Sequence, residues 1–293
     1  MRFGLIACRP TPTNDALAAA ELGDLRWEPM TPHVALERLR AGDVALGRLD
    51  VLPTLDGVDD GLWALGALAA RGVVVLNDPA VLLAAHDKLL TARLLRRHGI
   101  PHPQTWHVRG ENAAPRWGRS VVVKPRFGSW GLEVHRCDDP EALQTVLARA
   151  RGAGWYRRHG ALVQELVPPQ GYDLRVVVAG GRVVGAAFRI AAPGEWRTNV
   201  ALGGIRREVS EPPPDAAALA LEAAGAIGAY LVGVDLLPDS RGGWVVAELN
   251  GAVEFTHGYA PWHDVFVETA SALAREGCER AGYAALLEAA ELA

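Results

Sequence analysis

The chain has 293 residues, 49% hydrophobic and 22% charged, enough apolar material for one large or two to three small domains. A net charge of −4 with scattered lysines and arginines leaves no basic stripe for a nucleic acid. Three widely separated cysteines, Cys8, Cys137 and Cys278, fit no metal spacing and point to a reducing, cytoplasmic setting.

Residues 1–80 read as an α/β unit. Phe3 to Cys8 is an apolar strand, too short for a signal peptide. A helix over Asn14 to Leu22, a strand-like run over Val44 to Leu52, a helix over Leu62 to Ala70 and a buried strand over Val73 to Leu76 follow. Such alternation implies a parallel sheet. Pro79 to Arg97 reads as one helix with Lys88 in its middle, stopped at His98-Gly99-Ile100-Pro101. A second unit, residues 81–172, contains strands over Val121 to Lys124, Leu132 to His135 and Leu162 to Val167, and a helix over Pro140 to Arg151. In a third, residues 173–293, Asp173 to Val178 and Arg182 to Arg189 form a hairpin through Ala179-Gly180-Gly181. Residues 190–213 are loop-rich, Asp215 to Tyr230 is a helix, and Asp264 to Leu287 is helical. The most apolar window, Ala216 to Val234, holds Glu222 and glycines, so it reads as a buried helix entering a strand rather than a membrane span.

Two apolar runs, around Val234-Asp235-Leu236 and Glu248-Leu249-Asn250, flank a turn over residues 238–243. Paired as a hairpin, they set Asp235 nearly opposite Glu248, while Glu248 and Asn250 share a face. Two carboxylates and an amide are hard oxygen ligands, suited to magnesium that bridges phosphates; a capped turn is the plainer alternative. Strand-end ligands of this kind are expected to serve function more than packing.

The loop Lys124-Pro125-Arg126-Phe127-Gly128-Ser129-Trp130-Gly131 is neither a P-loop nor a dinucleotide fingerprint. Gly128, Ser129 and Gly131 can lay backbone N–H groups over phosphate oxygens, though such loops are usually only turns. Lys124, ending an apolar strand, calls for an anionic partner. Gln164-Glu165-Leu166-Val167 could offer a nucleotide base a strand edge, though taken alone it reads as an ordinary strand before a Pro168-Pro169 turn. Asp173 and Arg175 share a strand face, with Arg189 on the partner strand and Arg197-Thr198-Asn199 beyond. Guanidinium forks facing one cleft suit carboxylate or phosphate; a solvated Asp–Arg pair that contributes little is the plainer alternative.

Taken in order, Lys88, Lys124 with its glycine-rich loop, Gln164 to Val167, Asp173-x-Arg175, Arg197-Thr198-Asn199, Asp235 and Glu248-x-Asn250 resemble the ATP-grasp superfamily, and within it the RimK-type carboxylate–amine ligases. The resemblance runs from about Asn77 to Phe255. It implies an ATP-grasp fold, α/β and α+β, with an N-terminal α/β domain before two domains that clamp ATP. It also implies that Lys88 and Lys124 contact phosphates, Gln164 to Val167 the adenine, and Asp173 the ribose region. Asp235, Glu248 and Asn250 would hold Mg2+, with Mn2+ as a substitute. Arg197 and Asn199, with Arg189, would handle phosphate and the acyl-phosphate. The implied reaction adds L-glutamate or another amino acid to a carboxylate of a small molecule, a pterin- or furan-type cofactor, or a peptide, without nucleic acid or membrane. Gly251-Ala252-Val253-Glu254-Phe255 and Asn199 to Gly204 are similar to the branch that loads a carrier protein in lysine and arginine biosynthesis. A non-catalytic ATP-binding module and a small-molecule kinase of the same fold are the other readings. Relatives are often dimers or tetramers.

Overall fold

The first 76 residues build the expected parallel sheet. Strands β1 (Phe3–Ile6), β2 (Trp27–Met30), β3 (Val44–Gly47) and β4 (Val74–Leu76) stand in the order β2-β1-β3-β4, all parallel. Their crossovers carry helices α1 (Pro12–Ala19), α2 (Pro32–Arg38) and α3 (Leu62–Ala70). The structure, a computed structural model, describes residues 1–110, 118–240 and 242–282. Arg241 in the expected turn and the end of the expected C-terminal helix lie outside them.

Pro79 to Arg97 is two helices rather than one. Helix α4 (Pro79–His86) ends at Asp87, whose backbone is extended (ψ 94°) and whose carboxylate caps α5 (Lys88–Arg97) by accepting from the N–H groups of Leu89 and Leu90. An Asp that can satisfy orphan N–H groups outweighs the continuous apolar pattern. Lys88 therefore opens a helix instead of sitting inside one.

The central sheet is antiparallel, in the order β5-β8-β6-β7, from β5 (Thr105–Val108), β6 (Val121–Pro125), β7 (His135–Cys137) and β8 (Ala161–Glu165). Helices α6 (Pro140–Ala150) and α7 (Gly154–His159) cover it. The strand expected over Leu132 to His135 begins only at His135. Trp130, Gly131 and Glu133 have φ of 60°, 73° and 55°, which turns the chain instead of extending it.

The third sheet, order β11-β10-β9-β12-β13, contains β9 (Tyr172–Ala179), β10 (Arg182–Ile190), β11 (Ile205–Glu208), β12 (Leu231–Pro238) and β13 (Trp244–Asn250). Helix α8 (Pro214–Ile227) buries Ala216, Ala220, Ala223 and Ala224 against one face, where Leu174, Val176, Val178, Val232 and Val234 point. Leu95 of α5 joins the same cluster. On the other face Val177, Ala179 and Leu231 pack with α9 (Val265–Arg280) and with Phe3, Leu5, Val44 and Leu46 of the first sheet. The first and third sheets thus share one apolar core, and the central sheet keeps a largely separate one. Among the described residues no helix is long and apolar enough to cross a membrane.

Candidate active site

Register places the charged candidate residues on one face of the third sheet. Successive residues of a strand alternate faces, so Asp173, Arg175 and Val177 of β9 point one way. Across the strands one row reads Asp173, Arg189, Arg206. The next reads Ala187, Arg175, Asp235, Glu248, and a third Val177, Gly233, Asn250. Asp235 is therefore paired with Glu248 as expected. Ala247 is an extra residue in β13, because Leu236 pairs with Val246. This bulge keeps Glu248 and Asn250 on the charged face.

The charges neutralise one another in pairs. Arg175 grips Asp235 with Nε to Oδ1 at 2.7 Å and Nη2 to Oδ2 at 2.8 Å. Arg189 grips Asp173 with both nitrogens and also reaches Asp235 Oδ2 at 2.9 Å. The Thr198 hydroxyl donates to Asp173 at 2.6 Å. Asp173, Arg189 and Asp235 are all buried. Burial alone would raise the Asp235 pKa, but the two guanidiniums hold it well below the usual carboxylate range.

Two lysines approach from the other side. Lys88 Nζ donates to the Gly128 carbonyl and lies 3.5 Å from Glu248 Oε2. Lys124 is 7% exposed and makes no hydrogen bond or ion pair with any described residue. Burial pushes its pKa down to about 8, with Glu248 opposing the shift and Lys88 adding to it. Arg197 is fixed twice. Glu195 takes its fork, which with the Arg197 N–H lowers the Glu195 pKa to about 2, and Arg197 Nη1 donates to the carbonyls of Gly131 (3.0 Å) and Val134 (3.3 Å). The Arg197 side chain thus ties the main chain at the end of the glycine-rich loop to the loop after β10.

A cavity of about 150 Å³ lies between the central and third sheets, and every expected site residue except Arg175 and Asn250 lines it. Those two line an adjoining cavity of about 390 Å³, which shares Ser129, Arg189, Asn199 and Glu248 with the first. The outer cavity adds residues that sequence reading missed: Arg9 and Asp50 of the N-terminal unit, and Arg206 of β11. Nothing in their local sequence marks them, since charged residues at strand ends are ordinary surface features. Glu254, in the segment after the metal-type motif, joins this cavity and bonds the Thr11 hydroxyl (2.7 Å) and buried Arg48 (3.2 Å).

Among the described residues no three His, Cys, Asp or Glu side chains cluster as a metal site. The donor set here is two carboxylates beside the Asn250 amide, whose nitrogen donates to Asp235 Oδ2 at 3.4 Å and whose oxygen is the third hard donor. It fits a hard divalent ion: Glu248 is a quarter exposed and bonded only loosely, and the Asp235 carboxylate keeps lone-pair capacity beyond its arginine contacts.

The description of the RimK-like ATP-grasp domain matches residues 85–260, and the chain belongs to that family. It is 32% identical over 216 residues to glutamate–LysW ligase ArgX of Sulfurisphaera tokodaii, covering 72% of this chain and 76% of the relative. It is 32% identical over 226 residues to tetrahydromethanopterin:alpha-L-glutamate ligase of Methanosarcina acetivorans, covering 69% and 67%. The fold matches that of the RimK domain ATP-grasp protein of Sphaerobacter thermophilus with a TM-score of 0.68 at 22% identity, over 92% of this chain and 98% of that one. The chain is thus an ATP-grasp ligase, an ADP-forming enzyme that joins a carboxylate to an amine. The family uses ATP and divalent metal ions.

Proposed function

We propose that the inner cavity binds Mg-ATP and the outer cavity receives the carboxylate acceptor and an amino acid, L-glutamate first among the candidates. The observation that carries this reading is Lys124, an ammonium buried at the cavity wall without a protein anion bonded to it. A buried cation left unpaired is costly unless a ligand supplies the charge. A triphosphate lying between Lys124, Lys88 and the loop of Gly128 to Gly131 does so. Gln164 to Val167 at the end of β8 offer main-chain groups to adenine, and Asp173 anchors Arg189 beneath the ribose and phosphates.

Asp235, Glu248 and Asn250 would hold magnesium, or manganese, which would neutralise charge building on the β- and γ-phosphates. The substrate carboxylate attacks the γ-phosphate and becomes an acyl-phosphate; the amine then attacks and phosphate leaves. Arg189, Arg197 and Asn199 orient the transferred group and balance its charge, and no side-chain nucleophile takes part. Trp130 and Gly131 close over the junction of the cavities and exclude water from the acyl-phosphate.

Glutamate is favoured because both relatives' names specify it. Those names diverge on the acceptor, a carrier protein in one and a cofactor in the other, so the acceptor class is either a small molecule or a peptide carboxylate. Three unpaired cysteines suit a cytoplasmic location. The test is phosphate release from Mg-ATP across a panel of amino acids and acceptors. Acceptor labelled with oxygen-18 in its carboxylate should deliver one label to the released phosphate; unlabelled phosphate, or AMP with pyrophosphate, would refute the mechanism.

A further inference from the structure

Strand β11 is an exposed edge strand carrying two consecutive arginines, and only one of them has a structural partner. Arg207 points to the face of Phe188 and stacks on its ring at 5.3 Å. Arg206 points to the opposite face, where it lines the outer cavity. It makes no hydrogen bond or ion pair with any described residue. Charged residues on an edge strand commonly serve only to keep other strands away. Two features set Arg206 apart from that use. Its register partner on β10 is Arg189, so two residues of like charge stand opposite each other on one face of the sheet. Arg189 already spends its fork on Asp173 and Asp235, which leaves Arg206 as the uncommitted cation of the row. The acid nearest it in the pattern, Glu208, is turned toward residue 258. Arg9, on the N-terminal side of the same cavity, is tied to Asp50 and Asp59.

We infer that Arg206 binds a second, non-reacting carboxylate of the substrate, and so selects dicarboxylates over otherwise similar monocarboxylates. The inference rests on the reading of the outer cavity as the place where the acceptor and amino acid meet. The reacting group approaches the shared wall of Arg189, Asn199 and Glu248, and the distal anion reaches the edge strand. A planar fork with free donors is well matched to such a group.

The test uses calorimetry on the full chain with Mg2+ and AMP-PNP, titrating two matched pairs: L-glutamate with L-glutamine, and glutarate with butyrate. In each pair one member carries an extra carboxylate, and the two pairs separate an amino-acid ligand from an acceptor-like one. A charge-assisted bond of this type should give the dianion about 10-fold or greater preference in at least one pair. Arg206→Ala should abolish that preference, and Arg206→Lys should retain part of it, with AMP-PNP affinity unchanged in both. Lack of preference in the wild type, or a preference that survives Arg206→Ala, overturns the inference. Loss of AMP-PNP binding by the wild type would instead remove the reading of the inner cavity, and this inference with it.

Discussion

Arg175 holds both carboxylate oxygens of Asp235, and Arg189 reaches the same carboxylate from one strand further out, so Asp235 is the shared counter-ion of the half-buried Arg175 and the buried Arg189 guanidiniums. This alters the expectation that a metal-type ligand at a strand end could be removed without structural cost. Asp235→Asn should abolish turnover and also destabilise the fold by about 3–5 kcal/mol, because it strands buried positive charge. Glu248→Gln, at a partly exposed carboxylate, should abolish turnover while changing stability by less than about 1 kcal/mol. Urea unfolding beside a phosphate-release assay separates the two, and equal stability of both variants would refute the anchoring role.

Lys124 gives a pH dependence with a defined sign. Its folded pKa of about 8 lies below the ordinary lysine value of 10.5, so the free enzyme loses this charge first. With the triphosphate placed against Lys124 as proposed, ATP affinity should weaken as pH rises through 8. Between 8 and 10.5 the unfolded chain binds the extra proton, so stability of the free protein should rise with pH over that window. Lys124→Met should flatten both trends, be more stable than wild type at pH 7, and bind ATP about 10- to 100-fold more weakly. A wild-type affinity that is flat from pH 7 to 9.5 would contradict this.

Gly131 has φ of 73°, and a Cβ there would lie 2.8 Å from Asn199 Oδ1 and 3.0 Å from Leu202 Cδ1. Gly131→Ala should cost about 1–2 kcal/mol in backbone strain and push the loop away from Asn199, with turnover falling about 10-fold or more. Gly194→Ala is the control: its φ of 79° imposes similar strain with open space around it. Similar turnover in the two variants would show that strain, not the contact with Asn199, governs the loop.

Asp87 caps α5 and forms a two-point ion pair with Arg126 at the start of the glycine-rich loop. Asp87→Ala should lose about 1–2 kcal/mol from the cap and weaken ATP binding by misplacing Lys88, the next residue. Asp87→Asn keeps a capping oxygen and should recover most of the stability without restoring the full ion pair. Thermal unfolding with and without AMP-PNP reads both effects; wild-type nucleotide affinity in Asp87→Ala would disconnect the cap from the site.

The parallel first sheet and both long hairpins were legible because alternation and glycine turns act locally. The Asp235–Glu248 pairing followed from symmetry about a turn, although a bulge at Ala247 lies between. What stayed hidden depended on tertiary competition. The break at Asp87 lies inside an apolar pattern that favours continuity. Every residue of β11 is exposed, so no alternation marked it. The left-handed residues that delay β7 include Trp130 and Glu133, which sequence alone does not assign to such conformations. The mutual pairing of Asp173, Arg175, Arg189 and Asp235 required register across three strands.

The shared core of the first and third sheets has a mechanical consequence. Parting those sheets would wet a continuous apolar cluster at about 25 cal/mol per Å². Across the inner cavity the central sheet meets the third through polar contacts, such as Lys88 to Gly128 and Arg197 to Gly131 and Val134, each exchangeable with water for about 1 kcal/mol, and Leu55 of the first unit is the apolar side chain inserted in its core. The enzyme is in effect a vice with one jaw bolted to its bench. Amides of β6 and β7 should exchange hydrogen faster than those of β9 and β12. Loading and unloading should then need only the central sheet to move, while the charged face of the third sheet, fixed to the shared core, should keep its geometry.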